Sequence, residues 1–308
     1  RQLRDWVPEA LDTFVALAET GNVEFLCETS QHGLAAIGDF DEFADQVAIQ
    51  KKTVTDLFGK PTSFRNTELI MDNGICQKVE ELGFDCMLGE GADRLLEWRS
   101  PQVPYRPKGC DRLKLLLRSF SLSDDIAFRF SNPNWPSFPL FADTFADWLH
   151  SVPAPAQFIG LFMDYETFGE HQNAQTGIFD FMQHLPERVL EDSGFRFRTP
   201  AQVCSEREAV HDLDISTPIS WADEARDLSA WLGNPMQRSV HQQLYAMRED
   251  ALRAGKVRPE LLATWRELTT SDHVYYIATA NHSDGEVHDY FSPYDHPHAA
   301  FVTVMTAI

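Results

Sequence analysis

The sequence has few cysteines, and those it has follow no ordered pattern. The five cysteines are an odd number at scattered spacings, and no Cys-x-x-Cys pair occurs. A disulfide framework needs an even set, and a zinc ribbon needs paired Cys-x-x-Cys motifs, so we expect neither. Free thiols are the ordinary state in a reducing compartment, which makes the cytoplasm the expected location.

Long apolar runs and an excess of basic residues are also lacking. Without an uninterrupted apolar stretch of about 20 residues, no membrane-spanning helix is expected. Acidic residues outnumber basic residues by 47 to 26, which gives a net charge of −21. Such a charge repels nucleic acids and anionic membranes, and it is compatible with a neutral substrate. Neither nucleic acid nor membrane is therefore an expected partner.

The first two thirds of the chain alternate short apolar runs with amphipathic stretches such as Phe40–Phe58 and Asn73–Leu82. This rhythm predicts βα units around a parallel sheet, and therefore an α/β fold. The predicted strands are Val23–Cys27, Ser63–Arg65, Cys86–Leu88, Leu113–Leu117 and Gln157–Met163. The last of them is almost entirely apolar, as is typical of a strand that is buried on both faces.

From about Ser220 the pattern becomes helical, with Asn-Pro and Arg-Pro pairs between the segments. It predicts a helical region packed against the sheet. The predicted helices are Trp221–Leu232, Met236–Ala254, Pro259–Leu268 and Asp272–Ala280.

Acidic residues follow four of the predicted strands: Glu28, Glu68, Glu90 and Asp164. In a (β/α) barrel the carboxyl ends of the strands meet on one face, so these groups are expected to share one cleft. Crowded carboxylates raise the free energy of the fold, but they suit chemistry in which one carboxyl keeps its proton while another ionises. Any single one of them could instead cap the next helix.

A pair of carboxyl groups is what glycoside hydrolysis requires. One group protonates the leaving oxygen, and the other attacks the anomeric carbon or activates water. Placement at strand ends does not by itself separate this reaction from metal-dependent hydrolysis or from other acid/base chemistry.

Specific strings separate these alternatives, because they resemble the ordered motifs of glycoside hydrolase family 57 in its α-amylase branch. The segment Leu161–His171 (LFMDYETFGEH) resembles the fourth motif, and Phe64–Ile70 (FRNTELI) resembles the third. The segments that resemble the second motif, the fifth motif and two further stretches typical of the branch are Val23–Glu28 with His32, Thr270–Tyr276, Ser220–Glu224 and Leu228–Asn234.

The resemblance implies a retaining reaction on α-1,4-glucans, with no cofactor. By motif position Glu68 matches the nucleophile and Asp164 the general acid/base. A retaining enzyme would hold these two carboxyl groups about 5–5.5 Å apart. Further expected substrate-binding residues are Glu28, His32, Arg65, Glu90, Glu170, Trp221, Asp272 and His273.

The resemblance also implies an incomplete (β/α) barrel followed by a C-terminal helical region. We expect residues 1–210 to form a partial-barrel catalytic domain and residues 211–308 to complete the cleft. Family members begin with a strand bearing His-Gln-Pro, and this chain contains no such string. Two of seven expected strands would then be missing, and an open sheet edge makes a homo-oligomer plausible.

Three other functions stay open at this point. The chemically nearest is a 4-α-glucanotransferase, which uses the same intermediate. The others are a truncated, non-catalytic glucan-binding protein and a metal-dependent deacetylase on a related barrel. For the last, His288, His296 and His298 are the histidines to consider, but their spacing matches no recognised ligand pattern, so no metal site is predicted.

Overall fold

A computed structural model describes residues 2–279 and 292–308. Within these residues five strands form one sheet, in the spatial order β1-β2-β4-β3-β5. The β1–β2, β2–β4 and β3–β5 pairs are parallel, whereas β3 runs antiparallel to β4. The strands are β1 Ser63–Arg65, β2 Cys86–Glu90, β3 Tyr105–Pro107, β4 Lys114–Arg118 and β5 His211–Leu213.

Helices surround the sheet and make up the C-terminal part of the described chain. They are α1 Gln2–Trp6, α2 Pro8–Glu19, α3 Ala35–Gly38, α4 Phe40–Phe58, α5 Asn73–Glu81, α6 Asp93–Leu96, α7 Phe120–Ala127, α8 Ala142–His150, α9 Ile178–Val189, α10 Pro200–Glu206, α11 Ser229–Leu232, α12 Pro235–Ala246, α13 Arg248–Gly255, α14 Pro259–Leu268, α15 Asp272–Tyr275 and α16 Pro297–Ala307. Among the described helices, none has the length and apolar character needed to span a membrane.

Helix α4 shows how local sequence sets an element. The Asp39 carboxylate accepts hydrogen bonds from the backbone N–H groups of Asp41 and Glu42, which caps the first turn. Apolar residues then recur at helical spacing and bury Phe43 and Val47 in the core. These features explain why the predicted bounds of this helix are confirmed.

The largest apolar core joins the sheet to α4 and α5 and to the C-terminal helices α11, α12 and α16. A separate cluster forms between α7, α8 and α9, where Phe130, Phe145 and Phe181 pack edge to face. The C-terminal helices therefore pack on the sheet core, as the sequence predicts, and the α8–α9 pair has an apolar cluster of its own.

Two predicted strands do not form. The run at 23–27 makes only a single parallel bridge, from Cys27 to Phe64 at the edge of β1. The run at 157–163 is extended but lies in no strand, and most of it is half-buried, so the prediction of a strand buried on both faces was wrong. The sequence analysis also did not predict β3 and β5, which are each three residues long, and β3 includes a proline.

The helical predictions beyond residue 220 hold in part. Pro259–Leu268 is confirmed as α14. The predicted helix 236–254 is two helices, which meet at Met247, and only the last four residues of the predicted helix 221–232 are helical. The predicted helix from Asp272 ends at Tyr275, and its predicted last residue, Ala280, lies outside the described residues.

Candidate active site

Glu68 lies in a tight 3₁₀ turn, Thr67–Leu69, directly after β1. Its φ is 57°, and that of Leu69 is 52°, so two consecutive residues with side chains adopt the left-handed region. Such backbone raises the free energy of the fold and persists only where surrounding contacts hold it. Here the backbone N–H of Trp221 donates to the Glu68 carbonyl at 3.2 Å. Strained backbone of this kind is concentrated at functional sites, which singles out Glu68 as a candidate functional residue.

The imidazole of His32 lies between two carboxylates. Its Nδ1 is 3.0 Å from Oε2 of Glu28, and its Nε2 is 3.2 Å from Oε1 of Glu68. Ionised carboxylates only accept hydrogen bonds, so both ring nitrogens must donate and the ring is an imidazolium. Burial lowers the pKa of His32, but the two hydrogen bonds and the two negative charges outweigh burial and raise that pKa to about 10.

Trp221 and Arg65 complete the surroundings of Glu68. The indole Nε1–H of Trp221 donates to Oε2 of Glu68 at 2.6 Å, and the Arg65 guanidinium carbon lies 4.7 Å from the centre of the Trp221 ring. Burial raises the pKa of Glu68, but the hydrogen bond and charge of His32, the charge of Arg65 and the bond from Trp221 together lower it. Glu68 is therefore held as an ionised carboxylate.

Asp164 ends the extended 157–163 segment and precedes the 3₁₀ turn Tyr165–Thr167. Burial and then the negative charge of Glu166 raise the pKa of Asp164 to about 6, and the charge of Glu68 acts in the same direction. Arg65 and His171 oppose this rise. Glu68 and Asp164 thus lie within each other's electrostatic field, with pKa values shifted in opposite directions.

The predicted fifth motif reaches the same cleft. The backbone N–H of Ser271 donates to the His32 carbonyl at 3.0 Å, and Asp272 begins α15 directly after it. Desolvation by the surrounding protein and then the charge of Glu68 raise the pKa of Asp272, while His32 and His273 lower it. The structure therefore brings Asp272 and His273 to the side of Glu68 where His32 lies.

Glu90 and Glu170, two of the predicted substrate-binding residues, are not among the contacts of Glu68 that are seen in the described part of the chain. The side chain of Glu90 is 0% exposed and accepts from the Arg118 guanidinium at 3.2 Å. Burial raises the pKa of Glu90, and the charges of Arg118 and Arg226 oppose the rise. The four strand-end acids therefore differ in exposure, because Glu90 is fully buried in an ion pair with Arg118. Glu170 is exposed, and its backbone N–H donates to the Glu166 carbonyl.

Arg118 contacts the Trp221 ring and pairs with Glu90, and the sequence analysis did not name it. It ends β4 opposite Glu90, which ends β2, and only 3% of its surface is exposed. A basic residue at the end of a buried strand carries the same positional information as an acidic one, and this position of Arg118 can be read from the sequence. Asp124, which lies within α7, also belongs to this cluster because it forms an ion pair with Arg118.

The histidines near the C-terminus form no metal site among the residues that the structure describes. His296 caps α16 by accepting from the backbone N–H of Ala299 at 3.1 Å, and its ring lies 6.2 Å from that of His298. His288 lies outside the described residues. In the described part of the chain, no three His, Cys, Asp or Glu residues are grouped so that they could hold a metal ion.

Fold and site together define an open α/β sheet protein in which the ionised carboxylate of Glu68 lies near Asp164, a carboxyl whose pKa is raised to about 6. The sequence profile of the family described as "Glycosyl hydrolase family 57" matches residues 1–216. The chain belongs to this family, and the predicted family is confirmed.

A named relative supports the assignment. The chain is 39% identical over 308 residues to a protein of Methanocaldococcus jannaschii named "Putative alpha-amylase". The match covers 97% of this chain and 65% of that protein. The chain thus spans a little under two thirds of the length of this relative.

Solved structures show the same fold at low identity. A branching enzyme of Pyrococcus horikoshii matches with a TM-score of 0.72 at 14% identity, over 98% of this chain and 66% of that one. A 4-alpha-glucanotransferase of Thermococcus litoralis matches with a TM-score of 0.70 at 12% identity, over 89% of this chain and 47% of that one. The α-amylase AmyC of Thermotoga maritima matches with a TM-score of 0.61 at 13% identity, over 99% of this chain and 70% of that one. These likenesses confirm the predicted incomplete (β/α) barrel, whose sheet is not closed among the described strands.

Proposed function

We propose that this chain is a retaining hydrolase of α-1,4-glucans of the α-amylase type, with Glu68 as nucleophile and Asp164 as general acid/base. The observation that carries the proposal is the contrast between two neighbouring carboxyl groups: the pKa of Glu68 is lowered, whereas that of Asp164 is raised to about 6. A nucleophile has to be ionised and a general acid has to hold a proton, so the contrast assigns one role to each.

In the first half of the reaction a carboxylate oxygen of Glu68 forms a bond to the anomeric carbon. The bond from that carbon to the leaving glycosidic oxygen breaks, and Asp164 transfers its proton to this oxygen. His32 and Trp221 donate hydrogen bonds to Glu68, so they hold its carboxylate in place for the attack.

In the second half Asp164 is an ionised carboxylate and acts as a base. It removes a proton from water, the water oxygen bonds to the anomeric carbon, and the bond from this carbon to Glu68 breaks. Sugar released in this way keeps its original anomeric configuration, and both carboxyl groups return to their starting protonation states.

The other cleft residues fit a neutral sugar substrate. Asp272 and His273 lie on the side of Glu68 where His32 lies, which suits contacts to the hydroxyl groups of the reacting sugar. In this proposal residues 1–210 supply both catalytic carboxylates, and residues 211–308 supply Asp272, His273 and Trp221, so that the second region completes the cleft. Cytoplasmic location and self-association stay predictions.

A 4-α-glucanotransferase is the second candidate, because the same intermediate serves both reactions and one structural neighbour has that activity in its name. A sugar hydroxyl then replaces water in the second half. Incubation with maltoheptaose separates the two activities: a hydrolase increases the number of reducing ends, whereas a transferase makes longer chains without such an increase.

Covalent trapping tests the assignment of Glu68. A 5-fluoro-α-maltosyl fluoride loses fluoride readily but forms an ester that hydrolyses slowly, so peptide mapping by mass spectrometry should find the sugar on Glu68. The control Glu249→Gln removes a carboxylate whose side chain is 81% exposed and should leave the label in place.

Proton NMR of the first product from maltoheptaose supplies the stereochemical test. An α-configured product is expected, and a β-configured product or a label on another residue would overturn the assignment. Binding of maltoheptaose without any turnover would instead indicate the non-catalytic glucan-binding protein.

A further inference from the structure

Arg118 is engaged through all three nitrogens of its guanidinium. Its Nε–H donates to the carbonyl of Phe162 at 2.7 Å, and Nη1 donates to Glu90 at 3.2 Å. Its Nη2 donates to Asp124. The fully buried Glu90 and the partly buried Asp124 therefore pair with the cation and fix its plane, while the remaining N–H points at the backbone of another segment.

That other segment carries Asp164. Phe162 is two residues before Asp164, in the extended 157–163 run that forms no strand ladder. Besides the bond from Arg118, four hydrogen bonds fasten this stretch. The N–H groups of Gln157 and Phe158 donate to the Gln102 carbonyl at 2.8 and 3.2 Å, the Ser119 N–H donates to the Gly160 carbonyl at 2.8 Å, and the Phe162 N–H donates to Oγ of Ser123 at 3.2 Å. Within this stretch the two bonds at Phe162, from Arg118 and to Ser123, are the nearest to Asp164, so they have the most direct influence on where Asp164 lies.

The same guanidinium also meets the residue that binds Glu68. Its carbon lies 5.6 Å from the centre of the Trp221 ring, within the range of a cation–π contact. Trp221 in turn donates its indole N–H to the Glu68 carboxylate. One planar cation therefore contacts both the segment that bears Asp164 and the ring that holds Glu68.

We propose that Arg118 is a positioning residue that sets the separation between the two catalytic carboxylates, through the Phe162 carbonyl on one side and the Trp221 ring on the other. This rests on the proposed roles of Glu68 and Asp164. Arginine suits the position because its planar fork can donate in several fixed directions and stack on a ring at once, which a lysine ammonium cannot do.

Three variants of the 308-residue chain test the proposal. Arg118→Lys keeps the charge but loses the planar fork. Trp221→Phe keeps a ring beside the guanidinium but removes the N–H that binds Glu68. Arg226→Lys is the matched control: its guanidinium belongs to the same cluster, 4.0 Å from Glu90 and 3.8 Å from Asp124, but it stacks on Phe120 instead of Trp221.

The first measurement does not depend on activity: crystal structures give the distance between the carboxyl carbons of Glu68 and Asp164 in each variant. We expect this distance to change by about 1 Å in Arg118→Lys and to stay constant in Arg226→Lys, since misplacement on this scale is what positioning residues prevent. An unchanged distance in Arg118→Lys overturns the proposal. Failure of the wild-type chain to cleave any α-glucan would overturn the proposed function alone, because the structural comparison is still decisive.

The second measurement is kinetic. For maltoheptaose, kcat should fall about 10- to 100-fold in Arg118→Lys with little change in KM. For α-maltosyl fluoride, whose leaving group needs little protonation, the fall should be smaller because only the placement of Glu68 matters. An equal fall for both substrates, or the same fall in Arg226→Lys, would mean a general structural role and overturn the proposal.

If Arg118→Lys does not fold, Trp221→Phe decides the half of the proposal that concerns Glu68. The expected result is a displaced Glu68 carboxylate, an unmoved Asp164 and equal fold-losses for the two substrates. An unmoved Glu68 with unchanged turnover would overturn the link from Arg118 to the nucleophile.

Discussion

The surroundings of Glu68 and of Asp164 differ more than their shared chemistry suggests. Glu68 receives hydrogen bonds from His32 and Trp221, and its backbone is fixed in a left-handed turn after β1. Asp164 lies at the end of a segment without a strand ladder, and no side-chain hydrogen bond to its carboxyl is seen among the described residues. Burial and nearby negative charge set its protonation instead.

In the proposed mechanism, this difference gives two carboxyl groups two different roles. A carboxylate that must stay ionised is given donors and cations, because each stabilises its charged form. A carboxyl that must keep its proton lacks hydrogen-bond donors and lies near other acids, which raises its pKa. Such a carboxyl can still transfer its proton to a substrate. Variants that alter the surroundings of Glu68 should therefore affect nucleophilic attack, and variants that alter the surroundings of Asp164 should affect proton transfer.

The largest expected effect separates the two carboxyl groups by their dependence on the leaving group. Glu68→Gln should lower kcat by on the order of 10⁴-fold or more for both maltoheptaose and α-maltosyl fluoride, because no covalent intermediate can form. Asp164→Asn should lower kcat for maltoheptaose by about 10²- to 10⁴-fold, since the leaving oxygen loses its proton donor. For the formation of the intermediate from the fluoride, it should have far less effect.

Rapid-quench measurement of fluoride release separates formation of the intermediate from its breakdown and provides the readout. Equal losses for the two substrates in Asp164→Asn would mean that Asp164 is not the general acid.

A smaller effect is expected from removal of the cation that holds Glu68. His32→Gln loses a charge-assisted hydrogen bond of about 1.5–3 kcal/mol, which corresponds to about 10- to 100-fold in kcat/KM. His32 lowers the pKa of Glu68, so without it this pKa rises and more of the nucleophile is protonated at low pH. The acidic limb of the pH profile should therefore move to higher pH.

Measurement of kcat/KM across the pH range in wild type and His32→Gln tests whether the acidic limb moves. His298→Gln, which changes an exposed histidine, is the control. An acidic limb that does not move would show that His32 has no influence on the ionisation of the nucleophile.

The smallest effect concerns the charge beside Asp164. The negative charge of Glu166 raises the pKa of Asp164, so Glu166→Gln should lower that pKa from about 6. The general acid then loses its proton at lower pH, and the alkaline limb of the pH profile moves to lower pH with little loss at the optimum. Glu170→Gln, an exposed carboxylate in the same stretch, should move this limb less. A limb that moves to higher pH in Glu166→Gln would contradict the assignment of Asp164.

Much of the fold could be predicted where local signals are complete. The helix Phe40–Phe58 has a capping aspartate and a regular apolar face, and α14 begins with a proline, so their bounds are confirmed. The predicted helix from Trp221 failed because the chain turns there: the Ser220 N–H bonds to the Arg226 carbonyl at 3.1 Å, and Asp223 and Arg226 have positive φ. Apolar spacing does not reveal such turns.

The site could be predicted from ordered motifs, but its contacts could not. The motifs named Glu68, His32, Trp221 and Asp164, and the structure brings the first three into direct contact. They did not indicate that Glu90 is fully buried against Arg118, since that depends on the register that pairs the two residues. A register between two strands far apart in sequence is a property of the assembled sheet.

The left-handed backbone at Glu68 places two demands on one position. At a φ of 57° the turn is best served by glycine or asparagine, and each strained residue raises the free energy of the native state by about 1–3 kcal/mol. The proposed reaction can use neither glycine nor asparagine at position 68, because it needs a carboxylate there. Thermal stability and turnover would therefore favour different residues here, and a screen that rewards heat resistance alone would tend to remove the nucleophile.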